Sequence, residues 1–99
     1  MIINKKIYHL REKEKLDSME IRKKGQLRFY SYDYKIKTDD GWRTLVRWDN
    51  FQQQPHVDSY DDNGTLIQSS STRDKNLKEI LELIDIFGKS IVTMDITEL

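Results

Sequence analysis

The segment from Leu27 to Lys37 constrains the fold more than any other part of the sequence, because aromatic side chains crowd into one strand-length stretch. Aromatic and β-branched residues of this kind favour a β-strand. The segment from Trp42 to Asp49 has a similar character and predicts a second strand. Thr38–Gly41 lies between them and is typical of a hairpin turn. The sequence therefore predicts an antiparallel pair of strands.

The length of this turn sets the register of the pair. A two-residue loop, Asp40-Gly41, mixes aromatic and charged side chains on each face. A three-residue loop, Asp39 to Gly41, puts glycine at the left-handed position that such hairpins favour. It pairs Ile36 with Thr44, Tyr34 with Val46 and Tyr32 with Trp48 on one face, and Lys35 with Leu45 and Asp33 with Arg47 on the other. We predict the second register because it separates an apolar face from a polar one.

The N-terminal quarter is the least readable part of the chain. Residues 2–10 favour a strand because they are rich in isoleucine. Leu16 and Met19 fit either a strand or a short helix, and the pattern is too brief to distinguish them. The structure of residues 1–25 is therefore left open.

Further strands are predicted after the central hairpin. Residues 55–60 and 65–68 favour two strands, and Asn63-Gly64 between them is a strong hairpin signal. The apolar residues at 91–96 suggest a final strand. These additions predict an antiparallel sheet of four to five strands.

One amphipathic helix is predicted near the C-terminal end of the sequence. Asn76 is its N-cap, with Glu79 as capping-box partner, and Asp74 is an alternative cap. Gly88 ends the helix as a left-handed C-cap. The apolar residues recur at helical spacing and form one stripe: Leu77, Ile80, Leu81, Ile84 and Phe87. We expect this helix to cover the apolar face of the sheet, which gives an α+β fold.

Length and composition point to a single domain spanning residues 1–99. The sequence contains no cysteine, which excludes a disulfide framework, a thiolate zinc site and a cysteine nucleophile. No stretch approaches the roughly 20 apolar residues of a membrane helix. The first residues also lack the pattern of a signal peptide. We therefore expect a cytoplasmic protein without membrane contact.

Charge is distributed unevenly along the chain. Residues 1–37 hold 11 Lys and Arg against 5 Asp and Glu, whereas residues 38–99 hold 6 against 12. Such a split is compatible with a patch that binds nucleic acid, or with two halves that neutralise one another across the fold. The basic residues that we assign to phosphate contacts are Arg28, Lys23, Lys24 and Arg43.

Aromatic side chains on neighbouring strands permit two interpretations. They are either a platform on which RNA bases stack or the packing face of the sheet. In the preferred register Tyr32, Tyr34 and Trp48 share the side that the helix needs, which favours the core. Phe29, Phe51 and Trp42 remain available for an exposed contact.

Chemistry is concentrated around one histidine. His56, Asp58 and Tyr60 alternate along a strand, so we expect them to project from one face. An imidazole beside a guanidinium from Arg47 or Arg43 is suited to metal-independent RNA cleavage, since the imidazole moves a proton and the guanidinium stabilises the phosphorane. The competing interpretation is the polar face of a half-solvated sheet.

A metal site would need a third ligand besides His56 and Asp58. Asp61 and Asp62 are available, but aspartates beside Asn-Gly are explained as turn formers. Asp39 and Asp40 have the same explanation. We therefore predict no metal site and no cofactor.

Four segments together resemble a known family. They are Tyr30–Asp33, Arg47–Asn50, Pro55-His56 and the helix from Leu77 to Phe87. Over residues 28–87 the chain is similar to the TumE family of small prokaryotic toxin–antitoxin toxins and allied uncharacterised domains. The resemblance implies a growth-inhibiting toxin that acts on RNA and is neutralised by a helix-turn-helix antitoxin encoded alongside. TumE-like sequences carry several histidines after the Asp-Asn pair, whereas only His56 is present here.

We therefore predict a small prokaryotic toxin–antitoxin or defence protein that binds or cleaves RNA, with His56, Arg47 and Asp49 as its catalytic site. Its expected partners are RNA and a cognate antitoxin. The alternative is a non-enzymatic interaction module whose exposed strand edges pair with another chain, including a second copy of itself as a homodimer.

Overall fold

The computed structural model describes residues 1–99 and contains a six-stranded antiparallel sheet in which strands follow one another in chain order. The strands are β1 (Ile2–His9), β2 (Glu14–Lys23), β3 (Gln26–Thr38), β4 (Gly41–Asp49), β5 (His56–Tyr60) and β6 (Leu66–Ser71), and helix α1 spans Leu77–Phe87. The α+β class and the antiparallel sheet are confirmed. The strand count is higher than the predicted four to five. None of the helices combines the length and the apolar character needed to span a bilayer.

The strand β2 lies in the segment whose structure the sequence left open. Leu16 and Ser18 are buried on the covered face of the sheet, whereas Asp17 and Met19 line a depression on the opposite face. This alternation is that of a strand, although the spacing of Leu16 and Met19 alone also fits a helix. Pairing with β1 on one side and β3 on the other decides between the two.

The register of β3 with β4 agrees with the prediction except near the turn. The predicted pairs of Tyr34 with Val46, Tyr32 with Trp48 and Asp33 with Arg47 are all present. The connection, however, is the two-residue turn Asp39-Asp40 instead of a three-residue loop. Lys35 pairs with Thr44, and Leu45 is the additional residue of a β-bulge. The bulge compensates for the shorter turn and restores the predicted register beyond it.

Helix α1 packs on one face of the sheet and forms the core with it. The buried strand residues on this face include Leu16, Tyr30, Tyr32, Tyr34, Val46, Trp48 and Val57. They meet Ile80 and Ile84 of the predicted helical stripe, although Phe87 at its end is 41% exposed. Tyr30, Tyr32 and Tyr34 of β3 are thus packing residues, whereas Phe29 is outside this core and Trp42 in β4 stays 38% exposed.

Both ends of α1 lie at the predicted residues. The side chain of Asn76 accepts a hydrogen bond from the backbone N–H of Glu79 at 2.9 Å, which identifies Asn76 as the N-cap. Gly88 ends the helix as predicted, but its φ of 54° and ψ of −140° lie outside the left-handed helical conformation that the prediction gave it. The guanidinium of Arg11, from the β1–β2 connection, donates to the carbonyl of Asp85 at 2.7 Å. Arg11 therefore ties the end of the helix to the first hairpin.

The predicted strand at residues 91–96 is wrong. Two 3-10 helices, Gly88–Thr93 and Ile96–Glu98, occupy this region instead. Ile91 is fully buried and Ile96 nearly so, whereas Val92 is 44% exposed. Apolar residues five positions apart enter the core here, which a strand with a period of two does not allow.

Candidate functional site on the open sheet face

The sheet face opposite α1, which we call the open face, carries its side chains in rows that cross the strands. One row contains Lys5, Met19, Ser31, Asp49, His56 and Ser71. The next row contains Ile7, Asp17, Asp33, Arg47, Asp58 and Ser69. The three predicted catalytic residues therefore lie in adjacent rows, with Asp49 directly opposite His56.

His56 lies between two carboxylates. Its Nε2 is 3.4 Å from Oδ1 of Asp49 and 3.4 Å from Oδ2 of Asp58. Its Nδ1 is 2.9 Å from the carbonyl of Gln54. Because a carbonyl only accepts, Nδ1 is the protonated nitrogen, and Nε2 faces the two acids. The predicted projection of His56 and Asp58 from one face is confirmed.

Both acids of this Asp–His–Asp cluster (Asp49, His56 and Asp58) are held by neighbours. Asp49 Oδ1 accepts from the backbone N–H of Phe51 at 2.9 Å. Asp58 Oδ1 accepts from the Ser69 hydroxyl at 2.6 Å. The side chains of Asp49 and Asp58 are only 11% and 14% exposed. The carboxylates are thus fixed in orientation and largely withdrawn from solvent.

The environment of His56 favours a positive charge at this position. Burial acts to lower the pKa of His56, but the carbonyl of Gln54 and the charges of Asp49 and Asp58 outweigh it. The pKa is therefore raised above its ordinary value of about 6.5. The cluster therefore attracts a cation, either a proton or another positive ion.

Arg47 is one row away and is already paired. Its Nε contacts Oδ1 of Asp33, and its Nη2 lies 3.4 Å from Oδ2 of the same residue. This is the predicted cross-strand ion pair. The hydrogen bond to Asp33 raises the pKa of Arg47. Asp33 thus occupies the guanidinium face that a phosphate would use, and a phosphate has to displace it.

A hollow of about 340 Å³ opens beside Arg47. Its lining residues are Trp42, Arg43, Thr44, Arg47, Tyr60 and Gly64. Two guanidinium groups and two aromatic rings therefore border one concave surface, which we call the Trp42–Tyr60 hollow. The guanidinium of Arg43 also contacts Asp40 at 3.2 Å. Arg47 belongs to both the hollow and the second row of the open face.

The other predicted phosphate contacts lie elsewhere. Lys23 and Lys24 are exposed at the β2–β3 turn, at the end of β3 away from Arg43. Arg28 is exposed in β3, and its carbonyl accepts from the side chain of Asn50 at 3.2 Å. Of the four basic residues, only Arg43 shares a surface with the predicted catalytic residues.

The second histidine does not join the site. His9 lies in β1, four strands from β5, which corresponds to roughly 19 Å at the usual strand spacing. Asp61 acts as the turn former that its sequence context predicts, since its Oδ1 accepts from the backbone N–H groups of Asn63 and Thr65. The third potential ligand beside His56 and Asp58 is Asp49, and neither Asp61 nor Asp62 belongs to the group.

The role of Asn50 was missed by sequence reasoning. Its side chain accepts from the backbone N–H of Tyr30 at 2.8 Å and donates to Arg28, so it extends the pairing with β3 beyond the end of β4. The connection then turns through Gln52 and Gln53, which have φ values of 56° and 59°. Positive φ at residues other than glycine is uncommon, and no sequence signal indicates it here. This turn brings His56 opposite Asp49.

Comparison with known proteins places the chain in a family without assigning an activity to it. No curated protein and no solved structure matches the chain. One family model matches residues 4–85, which include the whole Asp–His–Asp cluster. The chain belongs to the family described as Domain of unknown function (DUF7718).

Proposed function

We propose that this protein is a TumE-like component of a prokaryotic toxin–antitoxin or defence module that acts on RNA, with Arg47, Asp49 and His56 at its site. One observation carries the proposal. The Trp42–Tyr60 hollow, with two guanidinium groups and two aromatic rings, lies beside the Asp–His–Asp cluster on the same open face. Groups that bind nucleotides thus adjoin groups that move protons.

The hollow suits single-stranded RNA. An exposed ring such as Trp42 stacks on an unpaired base, and such contacts contribute about 1–3 kcal/mol each. Arg43 and Arg47 present guanidinium groups to the backbone phosphates. Burial raises the pKa of Tyr60, so its hydroxyl stays neutral and does not repel phosphate.

The reaction that fits this arrangement is cleavage through the 2′-hydroxyl of RNA. The Asp–His–Asp cluster accepts the proton of the 2′-hydroxyl. The 2′-oxygen then bonds to phosphorus as the bond between phosphorus and the 5′-oxygen breaks. Arg47 exchanges Asp33 for the phosphate and stabilises the charge on its non-bridging oxygens. Water supplies the proton to the 5′-oxygen, because His9 is too distant to do so.

The test is cleavage of a defined single-stranded RNA and of total RNA by the purified protein. We expect His56→Gln to lower the rate at least about 100-fold, the usual size of a proton-transfer contribution. Arg47→Ala should lower it by a similar factor because it removes the charge that stabilises the phosphate oxygens. His9→Gln is the matched control and should retain the wild-type rate. Two results would contradict the proposal: cleavage by His56→Gln at the wild-type rate, or no cleavage by the wild type.

A specific observation also favours the second candidate, a homodimerisation module. Both outer strands of the sheet are unpaired on one side. The edge strand β1 carries Lys5 and Lys6, and lysines on an edge oppose strand addition. The edge strand β6 contains no charged residue and exposes Leu66 and Ile67 at 52% and 61%. Pairing of β6 with β6 of a second copy extends the sheet.

Light scattering distinguishes this candidate. If β6 pairs, the wild type has the mass of a dimer, and Ile67→Lys converts it to a monomer. Ile3→Lys in β1 is the matched control and should leave the dimer intact. A monomeric wild type at high concentration excludes the candidate.

A further inference from the structure

We propose that Asp49, His56 and Asp58 form a binding site for one divalent transition-metal ion. The three residues come from the end of β4 and from alternate positions of β5, and they offer one nitrogen and two oxygen ligand atoms. These atoms all lie within 4.8 Å of one another. The ligand set combines imidazole with carboxylates, as zinc and manganese sites do.

The three groups that face one another in the cluster are all electron-pair donors. Nδ1 of His56 carries its hydrogen toward the Gln54 carbonyl, so the neutral ring presents the lone pair of Nε2 to Asp49 and Asp58. No Lys or Arg side chain forms an ion pair with either acid. Three acceptors in a largely buried position repel one another until a cation lies between them.

The spacing of the ligand atoms also suits a metal ion. Zinc–nitrogen and zinc–oxygen bonds are about 2.0–2.2 Å long, and tetrahedral angles then separate two ligand atoms by about 3.4 Å. The two distances from Nε2 of His56, to Asp49 and to Asp58, are both 3.4 Å. These two distances match a metal ion held between the ring and either acid, and the ligand atoms of the two acids lie within 4.8 Å of one another.

Each ligand has an outer partner, including Asp49, whose Oδ1 accepts from the backbone N–H of Phe51. Histidine ligands usually donate their second N–H to a carbonyl or a carboxylate, as His56 does to Gln54. Ser69 holds Asp58 through Oδ1, which leaves Oδ2 facing His56. The fourth side of the cluster lies on the open face, where water or substrate completes the coordination.

Metal binding depends only on this geometry, and its consequence for RNA rests on the proposed function. Without a cation, the acids Asp33, Asp49 and Asp58 outnumber Arg47 around the cluster. A divalent ion at the cluster neutralises two of them and attracts a phosphate oxygen. A bound ion would also engage the lone pair of Nε2 of His56, and a hydroxide formed from its bound water would then be the proton acceptor.

Isothermal titration calorimetry of the purified, chelator-treated protein with Zn²⁺ and with Mn²⁺ tests the inference. We expect one ion per chain, and a loss of affinity of at least about tenfold in His56→Gln, Asp49→Asn and Asp58→Asn. The Asn substitutions preserve the shape and the hydrogen bonds to Phe51 and Ser69, so the variants should fold. Controls are His9→Gln and Asp61→Asn, which should bind like the wild type.

The Co²⁺-loaded protein gives a second readout, since its visible absorption reports coordination by protein ligands. This absorption should be present in the wild type and in His9→Gln, and absent in His56→Gln. No binding by the wild type, or equal binding by His56→Gln, overturns the inference and leaves a proton as the cation of the cluster. Metal binding without RNA cleavage would reject the proposed function alone, and cleavage that persists without any metal binding would reject the metal site alone.

Discussion

Asp49 and His56 face one another across β4 and β5, with the Nε2 of the ring 3.4 Å from the carboxylate. The residues are separated along the chain only by the connection at residues 50–55. The position of His56 therefore depends on how this short segment turns. Asn50 anchors it to β3 through its side chain.

Asn50→Ala tests that anchor. The substitution leaves the backbone N–H of Tyr30 without its acceptor, so we expect the free energy of unfolding to fall by about 1–3 kcal/mol. Chemical denaturation measures this change. Asn63→Ala, in the exposed β5–β6 turn, is the control and should change stability by less than about 0.5 kcal/mol. Equal effects of the two substitutions would show that Asn50 does not fix the connection.

Asp33→Asn tests whether Arg47 has to leave its partner to bind phosphate. Removing the charge of Asp33 frees the guanidinium, and we expect affinity for single-stranded RNA to rise about two- to fivefold. Fluorescence anisotropy at constant salt measures the affinity. Asp62→Asn removes one exposed negative charge that forms no ion pair and serves as the control. A similar gain in both variants would point to net charge and not to Arg47.

Asp17 should make stability depend on pH in the acid range. Burial acts to raise the pKa of Asp17, but the hydrogen bond and charge of Lys35 and the charge of Lys15 outweigh it, and the pKa is lowered. A depressed pKa in the folded state means that the stabilisation is present above the unfolded pKa of about 3.9 and is lost as pH falls through the lower folded value.

The measurement is urea denaturation of the wild type and of Asp17→Asn between pH 7 and pH 2. The difference in the free energy of unfolding should be less than about 1 kcal/mol, because both partners are partly exposed. It should shrink as pH falls below the unfolded pKa of about 3.9 and be smallest at pH 2. A difference that persists unchanged at pH 2 would contradict the assignment to this ion pair.

Tyr34→Phe should destabilise the fold more than Tyr30→Phe. The hydroxyl of Tyr34 donates to the buried carboxylate of Glu14, whereas that of Tyr30 donates to the exposed Asp74 at 3.2 Å. Removing the hydrogen-bond donor of a buried charge lowers the free energy of unfolding by about 1–3 kcal/mol or more. An exposed carboxylate loses less, because water replaces the missing donor. Thermal and chemical denaturation measure both variants. Equal losses would show that Glu14 finds another donor.

The sequence was informative where a local pattern determines the structure. The cap at Asn76, the end of α1 at Gly88 and the pairing of Asp33 with Arg47 follow from short-range rules. The 3-10 helices after α1 were not predictable, because burial of Ile91 in the core overrides a composition that favours a strand.

The site was predicted in part. The projection of His56 and Asp58 from one face follows from the period of a strand. The approach of Asp49 to His56 does not follow from this period, because it depends on positive φ values at Gln52 and Gln53. Neither residue type indicates such a turn.

The central claim is that the open face at β4 and β5 carries the function. Backbone amide chemical shifts of the ¹⁵N-labelled protein, recorded during titration with a single-stranded RNA, test it most directly. We predict that the largest changes occur at residues 42–49 and 56–60. Changes confined to α1, or to the edge strands β1 and β6, would contradict it.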